Sequence, residues 1–196
     1  MIQSNTIYHG EEFVGFEGSG LTFSDNAFTE CSFKKCRFSR AYFENCHFDQ
    51  CTFEDCDLSL MTYDESNFHK IVIKRSKAAG ISWAEALPPF AVDFEDSEIS
   101  YSSFYGKVLK KAKFIHCTAE EVDFSECQLT NSDFKGTDLK GAQFHNSGLD
   151  LCNFEDASNY SIDIRHNTIK GAKFSLPEAF SFFNTLGIDV VNLDSF

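Results

Sequence analysis

The amino-acid sequence predicts a solenoid of short repeats, and two regularities carry that prediction. Phenylalanine recurs at every fifth residue without a miss, through Phe23, Phe28, Phe33, Phe38, Phe43, Phe48 and Phe53. A period of five fits neither the roughly 3.6 residues of a helical turn nor the two of a strand pleat, so ordinary amphipathic elements cannot generate it. The second regularity sits two positions before each of these centres, in a slot reserved for small residues, and all eight cysteines of the chain stand in that slot. Repeats of a solenoid touch only their neighbours, so the 196 residues form one continuous body: residues 1–174 make the solenoid, interrupted at 84–93, and 175–196 make a separate terminal element.

The first block of centres runs from Phe13, with a gap at Gly18, to Phe53 and on through Leu58, Tyr63, Phe68, Ile73, Ala78 and Trp83. Across Ala84-Glu85-Ala86-Leu87-Pro88-Pro89-Phe90-Ala91 the beat fails. It resumes one residue out of frame at Phe94, Ile99 and Phe104 and continues through Phe114, Phe124, Phe134, Phe144 and Phe154 to Asn159, Ile164, Ile169 and Phe174. The slot holds Cys31, Cys36, Ala41, Cys46, Cys51 and Cys56 in the first block and Ala112, Cys117, Val122, Cys127, Ala142, Cys152 and Ala172 in the second. A position too narrow for Leu or Phe suits a free cysteine acting as a small hydrophobe.

Cys-Ser-Phe-Lys-Lys at 31–35, Ala-Tyr-Phe-Glu-Asn at 41–45, Ser-Asp-Phe-Lys-Gly at 132–136 and Ala-Gln-Phe-His-Asn at 142–146 resemble the pentapeptide-repeat family, and the resemblance extends over roughly residues 11–174. It implies an all-β fold, a right-handed quadrilateral β-helix of about eight coils with four repeats to a coil, in which residues twenty apart stack about 4.8 Å from one another. The sequence agrees if the break adds one residue. One column then reads Phe13, Phe33, Phe53, Ile73, Phe94, Phe114, Phe134, Phe154, Phe174, and the opposite one Phe23, Phe43, Tyr63, Trp83, Phe104, Phe124, Phe144, Ile164.

The chain closes differently. Ser175-Leu-Pro-Glu178 has capping-box spacing with a proline in the first turn, and Leu176, Ala179, Phe180, Phe183 and Leu186 follow at helical spacing up to Gly187. A short strand is expected at Ile188–Val191. This helix has two readings: a cap over the open solenoid end, or a homodimer seam through Phe180, Phe182, Phe183 and Leu186, since Phe182 lies off the capping stripe.

Composition narrows the function. Twenty-three phenylalanines and 42% hydrophobic residues supply a core without metal or disulfides. A formal charge of −13 argues against direct binding of nucleic acid, which needs a basic surface to release counterions. No apolar stretch reaches membrane-span length, and the opening Met-Ile-Gln-Ser-Asn-Thr has no signal-peptide character, so a cytoplasmic protein is expected. The five-residue cysteine spacing is not that of zinc sites and would place successive thiols on different walls. No histidine pairs with a nucleophile in a recognisable motif and no phosphate loop appears, so neither enzyme nor cofactor is expected.

Stacking by twenties resolves the basic run Lys70, Lys74, Arg75, Lys77 into charge ladders, Lys34–Glu54–Lys74–Glu95 and Lys35–Asp55–Arg75–Asp96. The Trp83 face instead carries Asp25, Glu44, Asp64, Glu65, Glu85, Asp123 and Glu126, with no Lys or Arg before Arg165. Such a stripe is either tolerated surface or a surface made for a basic groove. The interrupted repeat, the proline pair and the terminal Leu-Pro-Glu-Ala…Leu-Gly-Ile-Asp-Val-Val are similar to the gyrase-interacting Qnr and McbG group of the family. That resemblance implies a DNA-like rod that binds a type II topoisomerase and protects it from a poison. Binding is then expected on the acidic stripe and recognition at Glu85, Pro88, Pro89 and Phe90. The competing reading is a structural or interaction scaffold with a partner other than gyrase.

Overall fold

The five-residue beat becomes a square because the backbone turns at the second residue after each centre. Asp25, Glu30, Lys35 and Arg40 take φ of 58°, 55°, 53° and 57°, a left-handed conformation repeated down the chain, with glycine in the same place at positions such as 20, 80, 106, 136 and 141. Each corner redirects the chain, and four corners close a coil. In the computed structural model, which describes residues 2–189, the coils stack as a parallel β-solenoid of about eight turns, closed by one short C-terminal helix.

The register confirms the twenty-residue coil and locates the extra residue. Phe13 pairs with Phe33, Phe33 with Phe53 and Phe53 with Ile73, then Ile73 with Phe94 and Phe94 with Phe114. Leu87 still pairs in the old frame with Asn67, whereas Val92 pairs in the new one with Ile71, so the insertion lies within 88–91. In the first half the walls are three-residue strands such as Thr22–Ser24, Tyr42–Glu44 and Thr62–Asp64. In the second half most walls shrink to single bridges, because the corners close into hydrogen-bonded turns: Lys107 N–H to the Phe104 carbonyl, Ala112 to Leu109, Ser132 to Leu129.

Two layers fill the interior. The rings stack on equivalents one coil away, Phe33 on Phe53 at 4.6 Å and Phe134 on Phe154 at 4.9 Å, and meet the adjacent wall edge-on, as Phe33 meets Phe38 at 5.7 Å. Each fully buried ring contributes roughly 2–3 kcal/mol against the entropy of ordering the chain. Two further columns complete the square: Phe38, Leu58, Ala78, Ile99, Ala119 and Leu139 on one side, and Tyr8, Phe28, Phe48, Phe68, Leu109, Leu129, Leu149 and Ile169 on the other. The slot residues do more than fill space, because many of their thiols and hydroxyls donate to a carbonyl of the neighbouring coil, while Cys31, Ser76 and Cys117 donate within their own repeat. Cys51 Sγ reaches Phe28 O at 3.3 Å, Cys127 Sγ reaches Phe104 O at 3.0 Å and Ser147 Oγ reaches Phe124 O at 2.8 Å. Several also accept an amide, as Ser66 Oγ does from Cys46 N at 2.9 Å. That polar duty explains why Cys, Ser and Thr, and not only Ala, occupy the slot.

The structure revises four expectations. The gap at Gly18 is filled from the slot by Phe16, whose ring packs on Phe38 at 5.7 Å and occupies the space a side chain at Gly18 would need. Asn159, expected as a centre, is exposed, and the buried Tyr160 next to it packs on Phe154 at 6.0 Å. The terminal helix is shorter than its pattern: a 3-10 turn over Glu178–Phe180 leads into an α-helix of five residues, Ser181–Thr185. No side-chain cap forms, because Ser175 Oγ is taken by the amide of Asp156 at 3.0 Å. Finally, Phe182 does not lie off the capping side; its ring seals the last coil, 4.7 Å from Phe174 and 6.0 Å from Tyr160. Of the expected strand, Ile188 and Asp189 are in irregular backbone, and Val190 and Val191 lie outside the described residues.

Candidate protein interaction surface

The acidic stripe forms on one wall because its residues hold three outward places beside the Phe23–Trp83–Phe104 column, one before, one after and two after each centre. Thr22, Tyr42 and Thr62 pair in register, which sets Ser24, Glu44 and Asp64 one above another. At the following corner Asp25, Asn45, Glu65 and Glu85 succeed one another, and Asp123 and Glu126 continue the wall beyond Ser103. All are exposed except Asp123, which is half-buried.

Local hydrogen bonds orient these carboxylates without neutralising them. Ser24 Oγ donates to Glu44 Oε2 at 3.1 Å, Asn45 Nδ2 to Asp25 Oδ1 at 2.8 Å, Ser82 Oγ to Glu85 Oε1 at 3.3 Å and the Ser125 amide to Asp123 Oδ1 at 2.9 Å. The Tyr105 hydroxyl donates to Glu126, and its pKa is raised by that bond. Among the described residues none of the seven carboxylates meets a cation within ion-pair distance. The buried Tyr63 hydroxyl beneath them donates to Ser82 O at 2.5 Å, and burial, then Glu85, holds its proton far above the ordinary range.

The wall across the coil and one adjacent wall are the reverse case. Lys74 meets Glu95 at 2.9 Å, Arg75 joins Glu54 and Asp55, Lys140 meets Glu120 at 2.7 Å and Lys135 meets Glu155 at 3.0 Å. The ladders read from sequence form only in part: Lys74–Glu95 and Arg75–Asp55 pair as expected, but Lys34 reaches back to Glu12, Glu54 is taken by Arg75, and Asp96 lies 3.6 Å from His116 and not against Arg75.

At the break, Trp83–Glu85 is a single 3-10 turn that leaves Glu85 at the surface, and Pro88 and Pro89 are exposed. Phe90, expected to take part in recognition, turns inward instead. Its half-buried ring lies 6.0 Å from Trp83 under the ammonium of Lys107, standing in for the missing centre of its column. At the C-terminal end Leu176, Phe183, Leu186 and Ile188 are 66%, 40%, 42% and 47% exposed, whereas Phe180 is half-buried beside Phe183. Among the described residues no helix is long and apolar enough to cross a membrane.

Similarity to known proteins follows the same division. A profile described as the pentapeptide repeat region matches residues 14–87, and one described as pentapeptide repeats in eight copies matches 108–146 and 120–158. The break falls between them. Of solved structures, a trypsin-treated QnrB1 variant, described as a plasmid-mediated fluoroquinolone resistance protein, superposes with a TM-score of 0.63 at 21% identity, over 96% of this chain and 93% of its own. HetL, a pentapeptide repeat protein involved in heterocyst differentiation regulation in the cyanobacterium Nostoc sp. strain PCC 7120, is 14% identical with a TM-score of 0.43, over 86% of this chain and 73% of its own. No curated protein matches the chain. The five-residue beat, the coil register and the two matched stretches together place the chain in the pentapeptide-repeat family.

Proposed function

We propose that the chain is a non-enzymatic, DNA-like acidic rod that binds a type II topoisomerase, DNA gyrase, and protects it from a poison. The observation that carries this reading is the contrast between walls: cations are spent pairing acids on two faces, while the Trp83 wall is left with unneutralised carboxylates in line. Repelling charges cost stability, so a wall that keeps them suits a basic groove. The charge is sparser than that of DNA, about one carboxylate per 4.8 Å coil against one phosphate per roughly 3.4 Å of each strand. Binding is accordingly weaker than that of a duplex and strongly salt-dependent. The same reading has two copies joined at the C-terminal apolar patch of Leu176, Phe183, Leu186 and Ile188, which doubles the length of the rod.

A supercoiling assay with purified gyrase tests it. The expected result is rescue from a quinolone, microcin B17 or albicidin, or inhibition of gyrase at high protein concentration, lost on charge reversal at Asp64, Glu65 and Glu85 in a variant that still melts cooperatively. Neither rescue nor inhibition with the unaltered chain overturns the proposal.

A further inference from the structure

On the wall beyond the break the sequence of charge reverses. A groove of about 290 Å³ runs between the insertion and the next coil, floored by Phe90, Val92, Val108 and Leu109 and rimmed by Lys70, Lys110 and Lys111. Among the described residues none of these three lysines is in an ion pair, on a chain of net charge −13. The one carboxylate in the groove, Asp93, is half-buried and accepts the amide of Lys113 at 2.9 Å.

The backbone here is also open. On this column the outward residue before each centre normally bonds the coil below twice: Gln128 N–H donates to Lys107 O at 3.0 Å, and Gln128 O accepts from Leu109 N at 2.8 Å. Val108 is the corresponding residue at the break, and among the described residues neither its N–H nor its C=O has a hydrogen-bond partner. Both losses have a visible cause. The carbonyl that its amide would reach, Ala86 O, is taken by Lys107 Nζ at 2.5 Å. The residues that would donate to its carbonyl are Pro88 and Pro89, which have no N–H. Val108 is 54% exposed, so one rung of the parallel ladder is left unmade at the surface.

We propose that this groove takes an extended acidic peptide segment of a partner protein, with apolar side chains on the floor, carboxylates at the lysine rim and the open rung of Val108 pairing its backbone. A strand added to an edge draws affinity from main-chain bonds and specificity from alternate side chains. A small free anion fits less well, because the surrounding amides of Ile71, Lys111 and Ala112 are already committed to Ala91, Thr130 and Leu109 and no cradle of free donors remains. This site is independent of the acidic wall and needs no topoisomerase.

Fluorescence anisotropy of a labelled, acetylated Glu-Phe-Glu-Phe-Glu peptide with the full chain tests it. Saturable binding is expected, weakened about tenfold or more by Lys70→Glu/Lys110→Glu/Lys111→Glu, a change of about 1.4 kcal/mol. Methylating alternate backbone nitrogens of the peptide should weaken binding to the unaltered chain similarly, an arm that does not depend on how the variant folds. Absence of saturable binding, an unchanged affinity with the methylated peptide, or displacement by equimolar inorganic phosphate each overturns the proposal.

Discussion

A thiol two residues before a centre donates to a backbone carbonyl, and its proton is part of the structure. Burial pushes Cys51, Cys117, Cys127 and Cys152 up to about 12 from an ordinary 9.0, because a thiolate there would be stripped of water. The sign follows from linkage: below about pH 9 both folded and unfolded thiols are protonated and the stabilisation is complete, and as pH rises toward 12 the unfolded chain alone releases protons, so stability falls. Melting temperature followed from pH 8 to 11 should therefore decline, and more shallowly in a variant with those four cysteines changed to serine, which cannot ionise there. Cys127→Ser alone should cost under about 1 kcal/mol at pH 7, since Ser66, Ser97 and Ser147 already make equivalent bonds in their own slots. Gly18 gives a second expectation. A Cβ there would lie 2.8 Å from the Phe16 ring and 3.0 Å from those of Phe23 and Phe38, so Gly18→Ala should lower stability by about 1–3 kcal/mol in thermal or urea melts. Adding Phe16→Ala should recover much of it by vacating the space, and a double variant no better than Gly18→Ala would count against the exchange of roles.

At the scale of elements, the walls were legible because each coil repeats the same local instruction, and one wall of Phe centres states the register by itself. Places where large and small residues trade positions were not legible. Phe16 against Gly18, Tyr160 against Asn159 and Phe90 against the proline pair each keep the volume of the interior while breaking the order of residues along the chain. The acidic residues were readable as one wall, since stacking by twenties places them together, but the open rung at Val108 depends on which donor reaches Ala86 and leaves no mark in the pattern. The terminal helix shows the same limit: its periodicity names apolar residues without saying which of them meets the last coil. Phe182 does. Phe182→Ala should lose roughly 2 kcal/mol locally and speed amide hydrogen exchange at Leu151 and Lys173, which bond across the final coils. Phe183→Asp with Leu186→Asp should leave that exchange unchanged and convert the proposed dimer to monomer in sedimentation equilibrium. A monomeric unaltered chain would remove the C-terminal patch as a seam.

For the whole molecule, the distribution of its charge matters more than its sum. Two walls alternate acids and bases, the wall past the break carries unpaired lysines over an apolar floor, and the Trp83 wall carries acids with no Lys or Arg before Arg165. Like charges one coil apart oppose folding by about 0.2–1 kcal/mol a pair, an effect that salt screens over about 10 Å at 0.1 M. Asp64→Asn/Glu65→Gln/Glu85→Gln should therefore melt slightly higher than the unaltered chain at low ionic strength, with the two curves converging near 1 M salt. Stability and activity then separate the two readings of the stripe. If the carboxylates are only tolerated, the neutralised variant is more stable and protects the topoisomerase as well as before. If they make the contact, the more stable variant protects less, and protection by the unaltered chain fades with added salt while its melting temperature rises. Gain of stability with loss of protection in the same three substitutions is the outcome expected here, because a repulsion kept in the free rod is relieved only when a basic groove closes over it.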